Sequence, residues 1–196
     1  MEIEPDLKNT RQTRWVVGGL TFFLLWILPL SAFCQKASIK EVNVKGTNGV
    51  WKVDFHVENC FTEKMEEAIQ TGIRTIFTFY LQLYQKRSLW KDRKVASIQF
   101  HHTIQYDPIR GEYQLTQEES GTSLVTTSLE EAKRRMAKVE AVEIRPSLQV
   151  KPDVSTYLRI KAELDPVVLP FHLEYLFFFV SLGDFETDWH IEPLPP

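Results

Sequence analysis

Hydrophobic residues along this chain fall into two regimes. From Trp15 to Gln35, WVVGGLTFFLLWILPLSAFCQ, apolar side chains run on without a charge. Crossing a bilayer as a helix takes roughly 17–25 such residues, so the length suffices. From Ser38 onward the rhythm is alternation, the period-2 mark of strands. Ile39, Val42 and Val44 form a first short run that ends in the turn composition Gly46-Thr47-Asn48-Gly49. Val50 to Val57 then sets Val53, Phe55 and Val57 against Lys52, Asp54 and His56. The two runs predict a hairpin.

The period changes at Thr62. Thr62 to Gly72 reads as a short helix, with Thr62 as cap, acidic residues early and Gly72 at the exit. Phe61, Met65, Ala68 and Ile69 form its core side. Ile73 to Gln85 is the longest strand pattern, with Ile73, Phe77, Phe79, Leu81 and Leu83 on one face and Ile76, Tyr80 and Tyr84 on the other. Its length predicts a bend or bulge, and its two covered faces predict a central position. Lys86 to Lys94 is a basic connection holding Leu89 and Trp90. Val95 to Tyr106 alternates again, turns at Asp107-Pro108-Ile109-Arg110-Gly111, and returns through Tyr113 and Leu115 to about residue 117.

After a polar loop at Glu118 to Gly121, Ser128 and Glu131 have capping-box spacing and open a helix to about Lys138. Leu129, Ala132 and Met136 are expected inward, and Lys133, Arg134 and Arg135 in solvent. Val139 to Arg145 and Tyr157 to Leu164 read as strands around a polar turn at Pro146 to Asp153. Pro170 to Val180 is an apolar run suited to a buried strand or an offered edge. Asp184 to His190 is a polar-aromatic finish, and Pro193 to Pro196 is expected to fray. The sum is a mainly β fold: an antiparallel, two-layer, sandwich-like domain of seven or eight strands with two short helices, preceded by an N-terminal transmembrane or signal helix. A single curved sheet under the helices is the alternative.

Lys8, Arg11 and Arg14 precede the apolar segment, which favours a cytoplasmic amino terminus and export of the rest. The division expected is residues 1–14 as a cytoplasmic stretch, 15–35 as transmembrane anchor or signal segment, and 36–196 as an exported β-rich domain. A cleavable signal shares this layout, and Ser31-Ala32-Phe33-Cys34 offers a tolerable cut site after Cys34. Acylation of Cys34 is a third route, with Phe33 unfavourable before the modified residue. The first outcome places the domain in the periplasm on a single-pass inner-membrane anchor; cleavage makes it a soluble periplasmic domain.

The 196 residues are 43% hydrophobic and 25% charged, which excludes a disordered, collagen-like or coiled-coil chain. Net charge is −3 and stays there without residues 1–35, which carry Glu2, Glu4 and Asp6 beside the three cations. That balance predicts neither a nucleic-acid partner nor tight adhesion to anionic lipid. Cys60 is alone in the exported part, so burial is its simplest fate. Its place before a helix start could lower its pKa. The best metal candidate would use His101 and His102 with His56 or Cys60, but adjacent histidines on a strand point to opposite faces, so His101 and His102 are not expected to share one ion. No metal spacing, nucleophile elbow or phosphate loop occurs, so no catalytic residue, metal or cofactor is expected.

Taken in order, ASIKEVNV after the apolar segment, FHVENCFTEKMEEAIQTGIRTIFTFYLQLYQKRSLW, KVASIQFHHTIQYDPIRGEYQLT, VEAVEIRP and YLRIKAELDPVVLPF with a Trp-containing end resemble the DUF4390 family of proteobacterial envelope proteins. The resemblance covers nearly all of residues 37–190. It implies an exported or anchored domain of about this size and brings no catalytic residues to transfer. The function expected is non-enzymatic: protein interaction or structural support in the envelope, through Leu89, Trp90, Tyr175, Phe177, Phe178, Phe179 and Trp189, with an envelope or membrane protein as partner. The alternative is a lipid- or hydrophobe-binding domain whose cavity would be lined by Tyr80, Tyr84, Trp90 and Phe177 to Phe179.

Overall fold

The computed structural model describes residues 36–47, 49–147, 150–151, 154–165 and 185–194. The segment 15–35 and the run 170–180, with Tyr175 and Phe177 to Phe179, lie outside the described residues. Among those described, nine strands and two helices follow in the order β1 (Ser38–Thr47), β2 (Val50–Glu58), α1 (Glu63–Gln70), β3 (Thr75–Gln85), β4 (Arg93–Asp107), β5 (Glu112–Gln117), β6 (Thr122–Thr126), α2 (Leu129–Met136), β7 (Lys138–Ile144), β8 (Thr156–Leu164) and β9 (His190–Pro193). They build two sheets, β1-β2-β7 and β6-β5-β4-β3-β8-β9, and every pairing is antiparallel. The mainly β, antiparallel character and both helices agree with the sequence pattern. The strands form two sheets, as in the main expectation, and not the single curved sheet of the alternative.

Alternation decides what each sheet buries. On β3, Phe77, Phe79, Leu81 and Leu83 have no solvent exposure, and on β8 the same holds for Leu158, Ile160 and Ala162. Val53 and Phe55 of β2 and Val139 and Ile144 of β7 belong to the same buried cluster. The rings of Phe55 and Phe79, 5.8 Å apart and edge-on, join the two sheets. β3 is central in the large sheet, as its two covered faces require.

Both helices lie where the chain changes sheet. α1 follows β2 and precedes β3; α2 follows β6 and precedes β7. Thr62 caps α1 by accepting from the Met65 amide at 3.3 Å. Gly72, with φ +87°, ends it, and the Gly72 and Ile73 amides turn back to the carbonyls of Ile69 and Ala68. Ser128 caps α2 by accepting from Glu131 N–H at 3.3 Å. The box closes differently from the expected reciprocal bond: the Glu131 carboxylate accepts from the Thr126 hydroxyl at 2.7 Å, and Thr126 Oγ1 accepts from Ser128 N–H. Lys133 does not face solvent. It donates to Glu66 at 2.6 Å and Glu130 at 2.9 Å, which ties α2 to α1.

Three irregularities shape the sheets. The spacing Ile39, Val42, Val44 breaks strict alternation, and β1 bulges between Lys40 and Asn43, with Glu41 at φ 53°. The irregularity expected in the long β3 falls on its neighbour: Val95 of β4 is the extra residue between Leu83–Ala96 and Tyr84–Lys94. Ser147 takes up the freed Val95 carbonyl through its amide and hydroxyl. The third bulge, in β7, sets Glu140 and Ala141 opposite Asp54, with Ala141 at φ 53°. Asp54 Oδ1 accepts from the Ala141 amide at 2.7 Å. Asp54→Ala should therefore cost about 1–2 kcal/mol, the scale of a charge-assisted bond to backbone. Ala141→Gly should gain up to about 1 kcal/mol by relieving a left-handed alanine. Urea midpoints moving in opposite directions would check the pair.

Two short edge strands are absent from the sequence reading. β6 is polar and mostly exposed, so no apolar alternation marks it. β9 corrects the expected fraying at Pro193 and Leu194: its residues pair with Tyr157 to Ile160, and the Leu194 amide bonds the Thr156 carbonyl at 3.0 Å, while Pro195 and Pro196 lie outside the described residues. Pro193 fits there because an edge strand can lack one donor.

Candidate interaction surface

Residues paired across antiparallel strands project to the same side, so the side of the large sheet turned away from the shared core can be read from its register; it is buried at Thr78 and half-buried at Tyr80, Gln82 and Tyr84. Thr78, Tyr80, Gln82 and Tyr84 of β3 stand beside Glu163, Lys161, Arg159 and Tyr157 of β8. His101, Gln99 and Ser97 of β4 flank them on the other edge. Tyr80 and Tyr84 therefore face outward, not into a cavity between layers. That space is filled by the side chains without exposure named above.

The outward residues interlock. The Arg159 guanidinium lies 4.4 Å from the Trp189 ring centre and 5.6 Å from that of Tyr84. Its buried Nε has no hydrogen-bond partner, so the ring faces supply its attraction. Tyr84 stacks on Tyr157 at 5.5 Å with planes 11° apart. Tyr157 donates to Asp92 at 2.8 Å, and the other Asp92 oxygen accepts from the Arg87 amide. Beside this ladder Lys161 bridges Glu163 at 2.8 Å and Glu186 at 2.6 Å, while Tyr80 donates to Glu163 at 2.6 Å. Burial raises the Glu163 pKa, but the bonds from Lys161 and Tyr80 outweigh it and hold the carboxyl below its ordinary value.

Of the residues expected at an interaction surface, Trp189 touches this ladder, while Leu89 and Trp90 lie apart from it on the loop beyond its far end. Trp189 begins the ladder, half-buried under Arg159. Leu89 and Trp90 sit on the loop between β3 and β4, whose base Asp92 secures, and are 96% and 77% exposed. The sequence reading missed Arg159, Lys161 and Tyr157, which alternate with the apolar residues of β8 and carry the period as their only signal.

The tyrosines of this face predict an alkaline response. The Tyr80 hydroxyl is pushed up to about 12 by its bond to Glu163 and by burial. Tyr157 is pushed up to about 12 by burial and by its bond to Asp92. A folded-state pKa above the ordinary value of 10 stabilises fully below pH 10 and is lost as pH rises toward 12. Tyrosinate absorbance should lag that of free tyrosine and rise together with unfolding in that window. Tyr157→Phe should reduce the fall in urea midpoint between pH 10 and 12; an unchanged fall would remove Tyr157 from this account.

The family model for DUF4390, a domain of unknown function, matches residues 34–192. The chain belongs to that family. No curated protein and no solved structure matches it.

Other chemistry in this DUF4390 domain is tied up in structure. An open cleft of about 610 Å³ at the helices is lined by His56, Cys60, Phe61, Glu66, Glu130 and Lys133, among others. Cys60 is buried and donates to the Val57 carbonyl at 3.4 Å. Burial pushes its thiol up to about 12, which overturns the expectation of a lowered value and keeps it protonated. Burial also opposes the charge on Lys133, yet Glu66 and Glu130 override it and hold the ammonium pKa above its ordinary value. His101 and His102 do point apart. His101 Nδ1 lies 2.9 Å from the Thr78 hydroxyl, which donates to Asp165. His102 is enclosed between the Met136 carbonyl and Glu119. Among the described residues no group of three or more His, Cys, Asp or Glu could hold a metal ion.

Proposed function

We propose that this DUF4390 chain is a non-enzymatic domain of the bacterial envelope that acts by binding, or structurally supporting, an envelope or membrane protein. In this reading residues 15–35 anchor it in the inner membrane, residues 1–14 stay in the cytoplasm, and the sandwich-like pair of sheets stands in the periplasm. Cleavage of the segment instead releases the domain there. Among the described residues no helix is long and apolar enough to cross a membrane, and residues 15–35 lie outside them.

One observation carries the contact reading: the outward side of β3 and β8 holds tyrosines, a tryptophan and paired ions held rigid by one another. Aromatic residues and arginine are the side chains that anchor protein contacts best, because they bring much area with little rotamer entropy to lose. The filled space between the sheets favours this face over an internal lipid. The test is crosslinking of the intact chain in its native membranes, beside a variant with Ile191→Glu and Gln99→Arg. Both positions are exposed on this side of the sheet. A stoichiometric protein adduct, lost in the variant at unchanged melting temperature, is the expected result. A co-purifying lipid with no protein adduct would overturn it.

A further inference from the structure

The loop between β3 and β4 has a different character from the sheet face behind it. Leu89 and Trp90 are adjacent and, at 96% and 77% exposure, almost wholly in solvent. Lys86, Arg87, Lys91 and Lys94 surround them, all exposed. Among the described residues no ion pair engages any of these four. Exposed Lys151 joins them at the same end, since its carbonyl accepts from the Gln85 side chain at 2.8 Å. The one acid of the loop, Asp92, is occupied on both oxygens, by the Arg87 amide and the Tyr157 hydroxyl. A chain of net charge −3 therefore gathers a local excess of cations around an apolar tip.

We propose that this loop docks on an anionic phospholipid surface, with Leu89 and Trp90 entering the headgroup region and the surrounding cations meeting phosphates. The proposal goes beyond the protein contact assigned to the sheet face and rests on that reading only for export to a membrane compartment. Tryptophan prefers the membrane–water interface because its ring is apolar and its N–H is polar. Clustered lysines and arginines beside it are attracted by anionic headgroups without needing a fixed geometry. A folded protein partner would instead have to offer a pocket for two apolar side chains ringed by matched acids. Both ends of the loop are held: the Lys86 amide bonds the Ser155 carbonyl at 2.9 Å, and Arg93 donates to Gln85 at 3.1 Å. Docking thus orders little new backbone.

The test uses the full chain in nanodiscs of phosphatidylcholine alone or mixed with phosphatidylglycerol, with hydrogen exchange followed across residues 86–94. Protection should appear in the anionic discs, weaken with added salt, and vanish when Leu89 and Trp90 are both changed to Ser. Lys91→Gln should lower the protection factor by about fivefold, the size of one lysine near an anionic surface. Unchanged exchange in β3 and β4 verifies the fold, since the substituted side chains contact nothing buried. Equal exchange in both discs overturns the proposal. Protection of equal size in neutral discs does so because the anionic headgroups would then contribute nothing, and absence of protection in both discs does so because the loop would then not meet lipid. Failure of the anchor reading registers separately, as a mature chain that begins after residue 35. That released form would then be floated with the same two lipid compositions: flotation with anionic vesicles alone supports the proposal, and flotation with neither overturns it.

Discussion

Truncating Phe79 to alanine is expected to lower the unfolding free energy by about 3–5 kcal/mol, the range for removing a fully buried aromatic ring. Phe79 has no solvent exposure and lies on β3, central in the large sheet. Its ring meets Phe55 of the small sheet at 5.8 Å, Phe100 at 5.3 Å and His102 at 4.7 Å. Because rigid strands surround it on both sides, the cavity cannot collapse cheaply, which places the cost toward the upper part of the range. Phe79→Leu keeps most of the apolar volume and should cost less. Leu89→Ala, on a fully exposed side chain, should stay within about 0.5 kcal/mol. Urea unfolding followed by near- and far-ultraviolet circular dichroism distinguishes these outcomes, and both sheets should melt in one transition because Phe79 belongs to both layers' packing. A Phe79→Ala loss near that of Leu89→Ala would refute the shared core.

The parts of this fold legible in the sequence are those where side-chain period and burial agree. β3 and β4 announced their inner faces through Phe77, Phe79, Leu81 and Leu83 and through Phe100, His102 and Ile104, because a central strand buries every second residue. Both helices were legible at their caps, where Thr62 and Ser128 accept the bonds their positions require. What stayed hidden depends on partners distant in the chain. β6 and β9 have hardly any apolar face and exist because a neighbouring strand offers free backbone groups. Lys133 looked solvent-facing because nothing local places Glu66, on another helix, within 2.6 Å of it. The interaction surface shows the same division. Exposed Leu89 and Trp90 stand out in a basic stretch, whereas the ladder from Trp189 through Arg159 and Tyr84 to Tyr157 depends on strand register that no local pattern reveals.

The same dependence on distant partners makes Glu119 the second position of large effect. Glu119 sits in the turn between β5 and β6, yet its side chain is only 5% exposed, and both its oxygens lie 3.0 Å from His102 Nε2. His102 is wholly buried, with Nδ1 2.9 Å from the Met136 carbonyl. A carbonyl only accepts, so Nδ1 donates to it, and Nε2 is the ring nitrogen that faces the carboxylate. One buried couple thereby fastens β4 to the end of α2 and to the β5–β6 turn. Glu119→Ala leaves the imidazole with an unpaired buried nitrogen and should cost about 3–5 kcal/mol. Glu119→Gln keeps a donor for the Nε2 lone pair of a neutral imidazole and should cost only about 1 kcal/mol. The contrast is the diagnostic: a packing role for the turn alone would make the glutamine and alanine variants differ by volume only. His102→Leu combined with Glu119→Leu removes both polar groups and should recover part of the loss, because no unpaired group then remains in the interior. Urea midpoints of the wild type, His102→Leu, Glu119→Leu and the double variant give the coupling energy; a value near zero would show that the two side chains act independently and that the turn is held by something else.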